Sequence, residues 1–110
     1  MKTVVTRPYQ RPYADPIAVT AGTLVTPDFD KQTDIAGWVW CTAAGGRSGW
    51  TPRAWLEQID GGWKITRDFN ALELTVEVGD RLEILEEESG FYLARSAGGQ
   101  TGWVPCENVA

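Results

Sequence analysis

The sequence predicts an all-β chain made of two copies of one small sandwich or barrel. Three observations lead there. The stretch from Gly37 to Leu56 is written again from Gly90 to Val109, with Gly37 and Gly90, Gly49 and Gly102, Trp50 and Trp103, and Pro52 and Pro105 all 53 residues apart. A repeat of this kind decides the fold before any single element does. Short apolar runs separated by turn residues fill the rest of the chain, and that is the patterning of strands. No long stretch carries apolar residues at i, i+3 and i+4 free of glycine, proline or β-branched clusters, so helix is nearly absent.

The first copy opens on a strand from Thr3 to Tyr9, and the second on its counterpart from Trp63 to Phe69. Val5 matches Ile65, Thr6 matches Thr66, Arg7 matches Arg67 and Tyr9 matches Phe69, all at a spacing of 60. The spacing falls to 57 where Ile17-Ala18-Val19 meets Leu74-Thr75-Val76 and Gly22 meets Gly79. The loop after the opening strand is therefore three residues longer in the first copy. Pro8, Pro12 and Pro16 stiffen it by fixing φ.

A strand follows at Leu24–Thr26 in the first copy and at Arg81–Leu85 in the second. Leu82 and Ile84 alternate with Arg81 and Glu83, the pattern of a half-buried strand. Next come loops, Pro27 to Ala36 and the shorter Glu86 to Ser89. Length differences fall in loops, where a repeat tolerates them. The repeated stretch then reads as a strand, a tip, a return strand, a proline and a short terminal turn. Its tips, Ala44-Gly45-Gly46 and Ala97-Gly98-Gly99, are followed by strand rather than helix. They are hairpin turns, not phosphate cradles.

The copies are placed at residues 1–57 and 63–110, with 58–62 as a short join. A domain of about 60 residues buries only about 60% of its unfolded surface. The expectation is therefore that the two copies are packed against each other in a fixed geometry.

Net charge is −5 and the sequence pI is near 4.6, which argues against a nucleic-acid partner. Residues 1–57 carry a net +1 and residues 58–110 a net −6. The second copy is the better surface for a basic partner, although solubility is the plainer reason for such charge. Cys41 and Cys106 fall at non-equivalent places in the repeat, so no disulfide framework is implied. No apolar run reaches the length of a membrane span, and Met1-Lys2 leads straight into strand sequence. If Met1 is the native start, the expectation is a cytoplasmic protein with no membrane partner; if it is not, an extracellular role stays open.

Catalysis finds no footing. The chain has no histidine, no metal-spaced cysteine cluster, no phosphate-binding glycine loop and no Gly-x-Ser-x-Gly elbow, so neither an enzyme nor a cofactor is expected. Asp28 and Asp30 sit on a short polar loop with no apolar pocket to separate their pKa values.

On these residues the chain resembles the Src-homology 3 (SH3) family, twice and over essentially its whole length. Arg7-Pro8-Tyr9 and Arg67-Asp68-Phe69 stand where that family has its Ala-Leu-Tyr-Asp-Tyr motif. Ile17 to Gly22 and Leu74 to Asp80 match its apolar strand and glycine turn, and Gly49-Trp50-Thr51-Pro52 and Gly102-Trp103-Val104-Pro105 its Gly-aromatic-apolar-Pro signature. The resemblance implies two tandem five-stranded barrels, each with a shallow aromatic groove for proline-rich segments in the polyproline conformation. It also implies an acidic loop beside the groove that pairs with a ligand Arg or Lys.

Carried over position by position, the first copy's groove is Tyr9, Trp38, Trp50, Pro52 and Trp55, with Asp15, Asp28, Asp30 and Asp34 as the acidic flank. Arg7 replaces the motif's first tyrosine and removes one wall of a proline pocket. Trp55 replaces the family's final tyrosine, its indole N–H still a donor. The second copy keeps Phe69, Phe91, Trp103 and Pro105, but has Arg67 and Asn108 at the two tyrosine positions and Glu73 or Glu86-Glu87-Glu88 as its acids.

The first reading is a non-enzymatic peptide-binding module that takes a proline-containing basic segment through the first copy. The alternative is an assembly module whose aromatic faces are buried between copies or in a homo-oligomer. A cage for a methylated lysine is a third, needing three rings around one point. Trp63, whose counterpart is Thr3, is the candidate for packing between copies. Cys41, aligned with Ala94, reads as a buried inert thiol, and Cys106 as a thiol near a rim.

Overall fold

Pairing of the two opening strands decides the architecture. In the computed structural model, which describes residues 1–33 and 35–110, the strands are β1 (Lys2–Val4), β2 (Ala18–Val19), β3 (Leu24–Asp28), β4 (Trp38–Ala43), β5 (Ser48–Pro52), β6 (Leu56–Ile59), β7 (Gly62–Ile65), β8 (Phe69–Asn70), β9 (Arg81–Glu88), β10 (Phe91–Ser96) and β11 (Thr101–Pro105). Short 3₁₀ turns at Arg53–Trp55 and Cys106–Asn108 follow the two prolines of the repeat. The chain is all-β, as the patterning predicts.

The protein divides into two compact units, residues 15–71 and residues 1–14 with 72–110. These cut across the sequence copies at 1–57 and 63–110, because each copy's opening strand completes the other copy's sheet. β1 pairs with β9, Thr3 opposite Leu82 and Val4 opposite Arg81. Reciprocally, β7 pairs with β3, Trp63 opposite Val25 and Lys64 opposite Leu24. The arms beyond these strands are exchanged too: Tyr9 bridges Val76, and Phe69 lies opposite Val19 where β2 pairs with β8. Every one of these pairs has its counterpart at the repeat's own spacings, so the exchange is symmetric.

Exchange also evens out charge. The copies differ as +1 and −6, whereas residues 15–71 carry a net −2 and residues 1–14 with 72–110 a net −3. Self-repulsion is thereby shared between the two units rather than concentrated in one.

The unit of residues 15–71 holds a five-stranded sheet in the order β5-β4-β3-β7-β6 and the two-stranded β2-β8. Ile17, Val25, Val39, Cys41 and Ile65 are buried in it. The loop expected from Pro27 onward begins later, since Pro27 pairs with Cys41 inside β3. β3 meets β7 only at Leu24 and Val25, so Pro27 lies where one side of the strand needs no ladder N–H.

The other unit holds a four-stranded sheet in the order β1-β9-β10-β11. Its core is Val5, Leu74, Val76, Leu82, Ala94, Val104 and Val109. Glu86-Glu87-Glu88, expected in a loop, extend β9 opposite Leu93, Tyr92 and Phe91. The cause is the two-residue turn Ser89-Gly90, both at positive φ, a geometry that continues the strands on either side of it.

Gly49 and Gly102 carry the second arm of each long loop against the hairpin. A Cβ at Gly49 would sit 2.9 Å from the Ile17 side chain, and one at Gly102 would sit 2.9 Å from the Leu72 carbonyl oxygen. The repeated glycine before the tryptophan is thus a requirement of close approach.

Candidate functional site

Ring placement in residues 15–71 begins at the 3₁₀ turn. This turn swings Trp55 against Phe69 of β8, edge to face with centroids 5.4 Å apart. The Arg67 guanidinium lies over the Trp55 ring at 3.8 Å. Arg67, at the motif's first-tyrosine position in the second copy, thus stands as a stacked cation. Trp38 starts β4 opposite Pro52. Trp38, Trp55 and Phe69 are only 8%, 7% and 5% exposed, and Pro52 is buried. These rings present little surface to a ligand.

Trp50 behaves differently. It lies opposite Trp40 across β4 and β5, the rings edge to face at 5.2 Å, both half-buried. The Lys31 ammonium sits over this corner, 4.9 Å from the Trp40 centroid and 5.9 Å from that of Trp50. Asp28, opposite Trp40 in the β3–β4 register, holds the turn that carries Lys31: its carbonyl accepts from Lys31 N at 3.4 Å, and its carboxylate from Asp30 N at 3.1 Å. Phe29, half-exposed, packs edge-on against Trp63 at 5.3 Å, and the Arg53 guanidinium lies over Phe29 at 5.0 Å. Trp63 therefore does join material of both sequence copies, within one unit. Asp15 is ion-paired with Arg47 of the hairpin tip, and Asp34 lies outside the described residues.

The counterpart of the Trp55–Phe69 corner in the other unit is polar. Tyr9 belongs to the same unit as Phe91, Trp103 and Pro105, and not to that of Trp38, Trp50, Pro52 and Trp55. The structure therefore splits the groove set read from the first copy and hands Phe69 to its tryptophans. The Tyr9 hydroxyl donates to Glu73 Oε1 at 2.5 Å. Burial, and then the neighbouring Glu73 carboxylate, push the Tyr9 phenol up. Burial likewise raises the Glu73 carboxyl, while the Tyr9 hydrogen bond and the Arg11 charge pull it partway back.

Asn108 Nδ2 donates to the carbonyls of Arg7 and Pro8 at 3.3 and 3.1 Å. It ties down the arm at Arg7 and Pro8, whose counterpart in the other unit is held by the stacking of Trp55 and Arg67. Trp103 is 4% exposed, its backbone N–H donating to Leu72 O at 3.0 Å and its carbonyl accepting from Leu74 N at 2.8 Å. Pro105 is buried, and Phe91 and Tyr92 are half-buried.

Both cysteines are free. Cys41 is fully buried and burial raises its thiol, which makes it inert packing. Cys106 is partly exposed, its thiol raised by burial and then by the Glu87 charge. Among the described residues no cluster of histidine, cysteine or carboxylate side chains could hold a metal ion, and no helix is long and apolar enough to cross a membrane.

Sequence reading passed over Trp40, Phe29 and Lys31. A signal for Trp40 existed: counting back from the Gly45-Gly46 tip puts it directly opposite Trp50.

A family model described as Variant SH3 domain matches twice, over residues 2–59 and 64–110. No curated protein and no solved structure matches the chain. With nearly all of its length covered by the two matches, the chain belongs to the variant SH3 domain family, in two sequential copies that exchange their opening strands.

Proposed function

We propose that the protein is a non-catalytic protein-binding module that takes a basic side chain of a proline-containing partner segment at the Trp40–Trp50 corner. SH3 domains generally mediate protein–protein interactions, and the finer reading rests on one observation. The chain's own Lys31 ammonium lies over both indoles, so the corner attracts a cation through the ring faces. Asp28 beside Trp40 adds negative charge on the same side, and the net charge of −5 favours a basic partner at longer range. Burial of Trp38, Trp55 and Phe69 moves the contact surface away from the slot those rings define in the family pattern and onto the half-buried pair.

The test uses a proline-containing peptide with one arginine or lysine and the same peptide with that residue replaced by glutamine, each titrated against tryptophan fluorescence. The basic peptide binds more tightly, and Trp40→Ala removes about 1–3 kcal/mol of that binding. Equal affinity for the two peptides, or an unchanged titration with Trp40→Ala, would sink the proposal.

A further inference from the structure

Each opening strand fits either sheet by its apolar pattern, yet the chain holds one pairing throughout. From the side chains that differ between the copies, we infer that the Tyr9–Glu73 hydrogen bond, with Arg11 beside it, is the selector that sets which opening strand completes which barrel.

The two pairings can be compared residue by residue. At the repeat's spacings the counterparts of Tyr9, Arg11 and Glu73 are Phe69, Ala71 and Pro16. In the exchanged chain the half-buried Glu73 receives the Tyr9 hydroxyl and feels the Arg11 charge, while the arm of Arg11 is pinned by its N–H donating to Thr75 Oγ1 at 3.2 Å. Pro16 and Phe69, both without polar side-chain atoms, share the other unit. Were each copy to close on its own opening strand, Glu73 would face Phe69 and Ala71, which offer neither donor nor charge. Tyr9 and Arg11 would face Pro16, which offers no acceptor. The self-closed pairing strands Glu73 and Tyr9 at separate corners, whereas the exchanged one joins them and sets the Arg11 charge nearby, with Arg11 Nε itself buried without a hydrogen-bond partner.

Two further contacts have the same sense. Trp63 packs on Phe29, a place that self-closure would give to Thr3. Asp68 Oδ1 accepts from Ala21 N at 2.8 Å, and its counterpart Pro8 has no side-chain oxygen to offer. Apolar alternation holds both strands in their sheets, and these few polar and ring identities choose between them.

The experiment is NMR on the full chain, reading cross-strand backbone contacts. Thr3–Leu82 and Trp63–Val25 report the exchanged pairing, and Thr3–Val25 with Trp63–Leu82 the self-closed one. Wild type shows only the first set. Tyr9→Phe combined with Phe69→Tyr moves one hydroxyl between the arms at constant composition, and shifts the ratio of the two sets about tenfold or more toward self-closure. Glu73→Leu, which removes the group that needs the hydroxyl, also brings the second set into view. Tyr9→Phe alone raises the Glu73 titration midpoint, read on the carboxyl carbon, because the donor is gone. A double variant and a Glu73→Leu variant that both fold with only the exchanged set would overturn the selector. So would a Glu73 midpoint unmoved by Tyr9→Phe. Thr3–Val25 contacts in wild type would overturn the exchange itself.

Discussion

The two units close the same corner with different chemistry. In residues 15–71 the arm after the opening strand is held by rings, with Trp55 against Phe69 and Arg67 over Trp55. In the other unit it is held by hydrogen bonds, Tyr9 to Glu73 and Asn108 to the Arg7 and Pro8 carbonyls. Ring burial is strong but tolerant of partner. Hydrogen bonds at a half-buried site contribute less, yet they discriminate, because an unmatched group is costly. The comparison teaches a division of labour in which one unit supplies stability through area and the other specifies the pairing.

The sharpest way to break that comparison is to cut the chain. Residues 15–71 contain β2 through β8 without interruption, and the fragment is expected to fold alone with a cooperative thermal transition. A fragment of residues 1–57 lacks Ile65 and Phe69, both buried in the intact chain. It is expected to melt about 10 °C lower or more, or to show no cooperative transition, in circular dichroism. A stable 1–57 fragment beside an unfolded 15–71 fragment would reverse the assignment of units.

Single substitutions at the corner come next. Trp55→Ala is expected to cost about 3–5 kcal/mol in denaturant unfolding, and Asn108→Ala about 1–2 kcal/mol. Equal costs would erase the contrast between area and hydrogen bonding. The repeated glycines sharpen it further. Gly102→Ala drives a methyl into the Leu72 carbonyl, a backbone atom, and should cost about 2–3 kcal/mol. Gly49→Ala meets the Ile17 Cγ2 methyl at 2.9 Å and the Ile17 backbone N at 3.2 Å and should cost about 1–2 kcal/mol.

The smallest effect is one of pH. Burial raises the Glu73 carboxyl above its value in the unfolded chain, so the native state binds the proton more tightly. The contribution of Glu73 to stability is then fully present below the ordinary carboxylate range and is lost as pH rises through its raised folded value. Glu73→Gln keeps an oxygen for the Tyr9 hydroxyl and removes the titration. The variant should match wild type in acid and exceed it modestly at neutral pH, as read from unfolding midpoints across that range.

What was legible in the sequence is what pairs locally. The hairpins β4–β5 and β10–β11 turn about Gly46 and Gly99, both at positive φ, and residues equidistant from a tip must meet. The glycine before each tryptophan, the prolines and the terminal turns followed from the same repeat. The exchange was not legible from pattern, because alternation with period two states which face of a strand is buried and not which sheet receives it. By alternation Thr3–Tyr9 and Trp63–Phe69 satisfy either sheet equally, and single identities such as Tyr9 against Phe69, Glu73 against Pro16 and Trp63 against Thr3 tell them apart. Glu86-Glu87-Glu88 misled for a different reason. Glutamate is a poor strand former, but the two-residue turn at Ser89-Gly90 leaves the chain no room for a loop. The Trp40–Trp50 corner went unnoticed because the family pattern directs attention to Trp38 and Trp55, which the fold buries.

Val4 accepts a hydrogen bond from Ala110 N at 3.0 Å, and Val5 bridges Val109. The end of β1 and the residue after it are thus joined to the chain's last two residues within one unit, while residues 15–71 are inserted between positions 14 and 72. Under tension applied at residues 1 and 110, the load falls first on this joint and on the β1–β9 ladder beside it, both within the unit of residues 1–14 and 72–110. Rupture must therefore be sequential: a short peeling event first, and only afterwards a second, separate release of length from residues 15–71.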